Sequence, residues 1–165
     1  MYFYSSIDIM MNQIQEEAYE RAAVLCSMYE KSETAIRKKL MEWGLKHDEI
    51  DLVVEKLTAE NFINDARYAQ SYVRDKFRLN KWGKVKITFN LKAGNIASSI
   101  IREALEEINN DEYRSTLTDL IVNRNKSIKA ANDYDRKAKL FRFAQSRGFE
   151  QTIILEILDN LLDKN

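Results

Sequence analysis

The segment from Asp65 to Lys86 carries the side chains with the clearest binding chemistry in this sequence. Residues 67–92 contain eight basic residues and a single acid, Asp75, in a chain whose net charge is zero. Concentrated positive charge with interleaved aromatic rings is expected where a polyanion or an acidic partner docks. A solvated helix face that serves only solubility is the alternative interpretation. The interleaved rings are Tyr68, Tyr72, Phe77 and Trp82.

The cations of this segment fall at helical spacing. At 100° per residue, Arg67, Arg74 and Arg78 share one face of a helix, and the apolar residues lie opposite. Lys76 falls within the apolar stripe, so either it extends outward along its aliphatic stem or the core contact ends before it. Lys139 and Arg142 form a second stripe, with Arg136 at its edge. The candidate binding residues are therefore Arg67, Arg74, Lys76, Arg78, Lys81, Lys84, Lys86, Arg136, Lys139 and Arg142.

Residues typical of enzymes are not found in a catalytic arrangement. The single histidine, His47, has no cysteine or histidine neighbours at metal-ligand spacing, which favours a surface or capping role. The four glycines are too far apart for a phosphate-binding loop. We therefore expect a non-enzyme with no catalytic residues, no metal and no cofactor.

Composition indicates a soluble intracellular protein. The one cysteine, Cys26, cannot form an intrachain disulfide, which fits a reducing cytosol. The N-terminus lacks the basic start and continuous apolar core of a signal peptide, and no apolar run is long enough to span a membrane. We expect a cytoplasmic protein that makes no membrane contact and is a monomer.

Apolar spacing predicts helices almost throughout, and the absence of proline favours short connections. Ser32 and Asp48 are expected N-caps, and Asn64 or Asp65 is expected to start the fourth helix, where Asp65 would cap amides or interact with the dipole. The predicted helices span residues 13–30, 32–43, 47–60, 65–79, 83–93, 96–109, 112–130, 134–147 and 150–163.

A pattern of apolar residues before a glycine recurs three times. It is seen in IRKKLMEWG (36–44), ITFNLKAG (87–94) and LFRFAQSRG (140–148), and the middle copy is one residue shorter. Apolar residues follow each glycine at matching offsets, beginning with Ile50, Ile100 and Ile154. The pattern predicts an all-α protein, an elongated tandem array of three three-helix repeats. The expected domains are 1–64 with an N-terminal extension, 65–111 with the basic helix, and 112–165.

Two stretches resemble the RecX family of recombinase regulators. AAVLCSMYEKSETAIRKKLMEWG (22–44) is similar to the family's first helix pair, and NFINDARYAQSYVRDKFRLNKWGKVKI (61–87) is similar to a more specific signature. That signature is an acid, then Arg-aromatic-Ala, aromatic-Val-Arg-x-basic, and a Gly before a basic helix. A weaker similarity continues in the last third. The matching positions there are Phe141, Ala144, Arg147, Gly148 and Phe149.

The resemblance implies a helical array that binds the RecA recombinase filament and single- or double-stranded DNA, and that modulates recombinase activity, usually by inhibition. Two other functions are compatible with the residues alone. One is a helix-turn-helix-like DNA-binding transcription regulator, although the basic residues form stripes instead of gathering at one recognition helix. The other is a helical-repeat scaffold with no nucleic-acid role.

Overall fold

The computed structural model describes residues 11–162, and nine α-helices lie in that part of the chain. No strand occurs between residues 11 and 162, which confirms the predicted all-α class. The expected absence of a signal peptide concerns residues outside the described range. The helices are α1 (Gln13–Met28), α2 (Glu33–Glu42), α3 (His47–Ala59), α4 (Asp65–Arg78), α5 (Lys84–Ala93), α6 (Ser98–Glu106), α7 (Asn110–Ser127), α8 (Asp133–Ser146) and α9 (Gln151–Leu162).

The described residues divide into two compact units, the first ending at Tyr68 and the second beginning at Ala69. Helix α4 begins in the first unit and continues into the second. The three domains expected from the sequence stay a prediction. Within residues 11–162, no helix is both long and apolar enough to cross a membrane.

The first unit buries one apolar stripe from each of α1, α2 and α3. Ala22, Leu40 and Leu57 are fully inaccessible to solvent at the centre of this core. Helix α1 begins with a capping box, in which Asn12 Oδ1 accepts from Gln15 N–H and Gln15 Oε1 accepts from Asn12 N–H, each at 3.0 Å. Cys26 lies in the same core, and burial raises the pKa of its thiol.

The caps of α2, α3 and α4 correct the sequence-based assignments in part. Ser32 caps α2 as expected, since its Oγ accepts from Ala35 N–H at 3.2 Å. Asp48 is not the N-cap of α3, because the helix already begins at His47 and Lys46 is the cap residue. Asn64 caps α4, with Oδ1 accepting from Arg67 N–H at 2.9 Å.

Asp65 lies in the first turn of α4 but does not cap that helix. Its Oδ1 accepts from the backbone N–H of Glu33 at 3.0 Å, at the start of α2. The carboxylate therefore satisfies an unpaired amide of a different helix, and the expected capping of α4 by Asp65 is wrong. Its position in the first turn of α4 still suits the helix dipole.

The second helix of each repeat ends with the same backbone geometry. Gly44 and Gly148 both have φ of +90°, and the equivalent residue in the middle copy is Asn95, with φ of +60°. Each is followed by a residue whose N–H donates to the carbonyl oxygen five positions earlier, as in a Schellman motif. These bonds are Leu45 to Leu40 at 3.2 Å, Ile96 to Leu91 at 3.1 Å and Phe149 to Ala144 at 3.4 Å.

This geometry corrects the alignment of the middle repeat. Gly94 was expected to end α5 in the manner of Gly44, but its φ is −83° and the left-handed residue comes one position later. With Asn95 in that place, the middle copy is no longer one residue short. The buried isoleucine six positions further on is then Ile101 in place of the expected Ile100, matching Ile50 and Ile154.

The second unit is built around a chain of three aromatic rings. Phe77 of α4 and Tyr113 of α7 have ring centroids 5.8 Å apart, and Tyr113 and Phe149 have centroids 5.0 Å apart. All three are buried. The second and third repeats therefore share one core, which is the usual way in which tandem units stabilise one another.

Candidate functional site

The start of α5 is fixed by main-chain contacts from the third repeat. Gly83 N–H donates to the carbonyl of Arg147 at 2.8 Å, and Val85 N–H donates to that of Gly148 at 3.0 Å. Lys84 N–H donates to the hydroxyl of Tyr113 at 2.9 Å. The amides of Gly83, Lys84 and Val85 are thus satisfied although the N-cap residue, Gly83, has no side chain to cap the helix. The basic segment around this helix start is consequently held in one position.

Tyr113 serves as both donor and acceptor at this junction. Its hydroxyl donates to Glu150 Oε2 at 2.5 Å while it accepts from Lys84 N–H. Burial and the hydrogen bond to Glu150 raise the pKa of Tyr113 far above its usual range, so the phenol stays protonated. The ammonium of Lys84 lies 4.9 Å from the centre of the same ring.

Trp82 lies between two cations beside this helix start. The Nζ atoms of Lys76 and Lys86 are 5.0 and 4.6 Å from its ring centroid. Lys76 Nζ is also 5.3 Å from the ring of Tyr72. The lysine that falls within the apolar stripe of α4 therefore extends outward over aromatic faces, which is one of the two arrangements expected, and is stabilised there by cation–π attraction. Trp82 itself is half-buried.

Arg74, Arg78 and Lys81 present their charges to solvent. All three are exposed, and no side-chain hydrogen bond or ion pair joins them to another residue in the range 11–162. Arg74 and Arg78 border a small cavity that Glu112 also lines. Lys81 has φ of +55°, an unusual conformation for a residue with a Cβ atom, in the turn after α4. We name these three residues, together with Lys76, Trp82, Lys84 and Lys86, the α4–α5 cationic surface.

Arg67 makes hydrogen bonds within the first unit, and its role in binding a partner stays a prediction. Its Nε donates to Glu30 Oε1 at 2.5 Å, and its Nη2 donates to the carbonyls of Asn61 at 3.1 Å and Phe62 at 3.3 Å. The guanidinium therefore joins the segment that follows α1 to the turn before α4. The paired planar donors of arginine suit this task.

The cations of α8 differ in their surroundings. Arg136 donates to Asn125 Oδ1 at 2.9 Å, and Lys139 donates to Asp135 Oδ2 at 2.8 Å and to the carbonyl of Lys129 at 2.9 Å. The hydrogen bond from Lys139 lowers the pKa of Asp135. Arg142 is exposed. The second predicted stripe is therefore partly committed to contacts within the third repeat.

Further cations lie beside those selected from the sequence. Lys92 and Arg102 line a groove of about 330 Å³ between α5 and α6, together with Lys84. Arg124 and Lys129 line a cavity with Lys139 and Arg142. Lys84 and Lys92 are eight residues apart on one helix, a spacing that could have revealed their common face. The cavity between α7 and α8 brings together residues that are too distant in sequence for helical spacing to reveal their proximity.

The sequence matches known profiles over much of its length. Residues 64–105 match the profile described as "RecX, second three-helix domain", and residues 111–158 match "RecX, third three-helix domain". A protein of Clostridium acetobutylicum named regulatory protein RecX is 32% identical over 168 residues, covering 96% of this chain and 77% of the relative. Regulatory protein RecX of Clostridium perfringens strain 13 is 31% identical, covering 73% of this chain and 57% of the relative.

Solved structures have the same fold. A crystal structure of regulatory protein RecX superposes with a TM-score of 0.81 at 25% identity, covering 88% of this chain and 73% of that one. A crystal structure of RecX from Lactobacillus salivarius gives a TM-score of 0.80 at 23% identity, covering 94% of this chain and 100% of that one. The profiles, the relatives and the tandem helical fold agree, and this chain belongs to the RecX family.

Proposed function

We propose that this chain binds the RecA recombinase filament and DNA, and that it lowers the recombinase activity that drives homologous recombination and DNA repair. The observation that carries the proposal is the α4–α5 cationic surface. It is supported by the family, whose members similar to this chain are named regulatory proteins. The hydrogen bonds at the start of α5 fix its backbone, so little backbone entropy is lost there when a partner binds. Among the residues selected from the sequence, Arg67, Arg136 and Lys139 already make hydrogen bonds within the chain.

The α4–α5 cationic surface is best suited to acidic side chains of the recombinase filament. The chain as a whole has no net charge, and its first 66 residues hold seven bases against thirteen acids. Such a protein gains little from long-range attraction to naked DNA at physiological salt. A protein partner with carboxylates can instead meet Arg74 and Arg78 at short range, where paired donors favour bidentate contacts.

The proposal is tested by recombinase ATPase and strand-exchange assays on single-stranded DNA, with and without this protein. Both activities should fall as the protein is added. Unchanged activities at several-fold excess over the protein's own binding constant would show that the chain does not regulate the recombinase.

A double substitution, Arg74→Gln with Arg78→Gln, tests the assigned surface. We expect weaker binding to recombinase-coated DNA and little change in affinity for bare DNA. The matched control removes two charges at Lys38 and Lys46, which are exposed in the first unit. Equal effects of the two double variants would mean that only total charge matters, and that this surface is a solvated face.

Other properties follow from the same proposal. A regulator of DNA recombination acts in the cytoplasm, where the recombinase filament assembles, and works by binding and not by catalysis. We propose a monomer that uses its repeats as separate contact surfaces. Sedimentation of the purified protein measures the oligomeric state directly.

A further inference from the structure

A cavity of about 540 Å³ lies between α7 and α8 in the third repeat. Four of its lining residues are cations, Arg124, Lys129, Lys139 and Arg142, and none of its lining residues is a carboxylate. Asp135 is nevertheless close, since it accepts a hydrogen bond from Lys139. The cavity therefore has one cation that is already paired and three that are available to a ligand.

The three available cations come from different parts of the chain. Arg124 is on α7, Lys129 is in the loop that follows, and Arg142 is on α8. Arg124 has its guanidinium carbon 5.6 Å from the ring centre of Phe143, which also lines the cavity. Like charges that line the same cavity repel one another, and the repulsion is relieved when an anion binds.

The chemistry of the lining favours a phosphate group over a carboxylate. A phosphate offers several strong acceptor oxygens and can contact three separate cations at once, whereas a carboxylate offers two. Two serine hydroxyls, from Ser127 and Ser146, stand among the cations as additional polar groups. The ring of Phe143 adds an apolar wall that suits the sugar or base attached to a phosphate.

We propose that the cavity between α7 and α8 binds phosphate groups, through Arg124, Lys129 and Arg142. The phosphate can come from single-stranded DNA or from a free polyphosphate. The DNA form of the proposal deepens the proposed function and rests on it, because it assigns the DNA contact to this cavity and the filament contact to the α4–α5 cationic surface.

The test uses the full chain without recombinase, so that its outcome is independent of the regulatory assays. The affinity for a single-stranded thymidine oligonucleotide is measured by fluorescence anisotropy over a range of salt concentrations. Calorimetry with inorganic pyrophosphate measures binding of the free form. The variants are Lys129→Gln and Arg142→Gln, and the control is Lys38→Gln, which removes the same charge from an exposed position on α2.

We expect each cavity variant to weaken DNA binding and to lower the slope of log affinity against log salt by about 0.7, the value for one phosphate contact on a single strand. The control should leave the slope unchanged. If the cavity variants instead weaken only pyrophosphate binding, the site takes a free polyphosphate. Thermal melting of each variant verifies that the fold is retained.

Two results would overturn the proposal. One is that neither probe distinguishes the cavity variants from Lys38→Gln. The other is that a polyglutamate peptide binds as tightly as the oligonucleotide with the same dependence on Lys129 and Arg142, since the cavity would then recognise acidic protein. A protein that inhibits recombinase but gives either result would retain the proposed function and lose only this assignment.

Discussion

A Cβ atom placed on Gly83 would lie 2.2 Å from the carbonyl oxygen of Gly148. The two main chains meet here because Gly83 N–H donates to the carbonyl of Arg147 at 2.8 Å. Gly83 does not need its freedom of φ, which is −79° and open to any residue. It is required because a side chain would occupy the space of the neighbouring backbone.

Gly83→Ala should therefore destabilise the second unit by about 1–3 kcal/mol, the usual cost of forcing extra atoms into a packed site. Chemical denaturation monitored by circular dichroism measures this loss. Gly94→Ala is the matched control, because Gly94 has φ of −83° and its added Cβ would meet no atom closer than 3.4 Å. Equal stability of the two variants would mean that the main chains can separate at Gly83 without cost.

The helices and their order could be predicted from the sequence because apolar periodicity is a local signal. The nine predicted ranges match α1 to α9 with differences of a few residues at the ends. The left-handed residue that follows α5 was misassigned because Gly94 precedes Asn95, and both residue types suit a helix terminus. Only the backbone angles distinguish them, since Asn95 alone takes positive φ.

The candidate site was predictable in its charge and only partly in its contacts. Arg74 and Arg78 are exposed as their helical spacing indicates. Arg67 has the same spacing, yet it binds Glu30, 37 positions earlier in the chain. Such pairing depends on tertiary structure, and no local pattern reports it. The cavity between α7 and α8 was missed for the same reason.

The corrected alignment of the middle repeat predicts that alanine is costly at Asn95, which has positive φ, and tolerated at Gly94, which does not. Asn95→Ala should cost about 1–2 kcal/mol, because an alanine pays the left-handed penalty that asparagine tolerates. Asn95→Gly should be neutral or stabilising. Urea denaturation of Asn95→Ala, Asn95→Gly and Gly94→Ala measures the change in the free energy of unfolding that each substitution causes. Loss of stability at Gly94→Ala and none at Asn95→Ala would restore the alignment expected from the sequence.

Asp65→Ala should destabilise the first unit by about 0.5–2 kcal/mol, the range for loss of a cap, because the Glu33 amide at the start of α2 loses its acceptor. Hydrogen exchange of that amide should accelerate. Asp65→Asn retains an acceptor oxygen and should recover much of the loss. Asn64→Ala should act on the Arg67 amide instead, since Asn64 caps α4. Faster exchange at Arg67 alone in Asp65→Ala would contradict the observed hydrogen bond.

The stability of the first unit should fall in alkaline solution. Burial, with the hydrogen bond from Tyr19 to Glu60, raises the pKa of Tyr19 from 10.0 to about 12. The folded state thus favours the neutral phenol, and this contribution is present below pH 10 and lost as pH rises from 10 to about 12. The melting temperature of Tyr19→Phe should accordingly change less with pH over this interval than that of the parent. Identical pH profiles would mean that Tyr19 titrates equally in both states.

Arg67→Ala should destabilise the first unit by about 1–3 kcal/mol, the usual cost of leaving a buried polar group without its hydrogen-bond partner. The loss arises because Glu30 is left half-buried without its cation, and because its Oε2 is already buried with no partner among residues 11–162. Arg74→Ala, on an exposed position of the same helix, should change stability by no more than about 0.5 kcal/mol. Denaturation curves of the two variants give the comparison.

Arg67→Lys separates charge from geometry at the same position. A lysine retains the positive charge opposite Glu30 but cannot also reach the carbonyls of Asn61 and Phe62, so an intermediate stability is expected. Filament binding by the Arg67 variants must therefore be compared at equal folded fraction. If Arg67→Ala is as stable as the parent and binds the filament less well, the guanidinium serves the partner, and the contacts to Glu30 and the two carbonyls contribute nothing measurable to the fold.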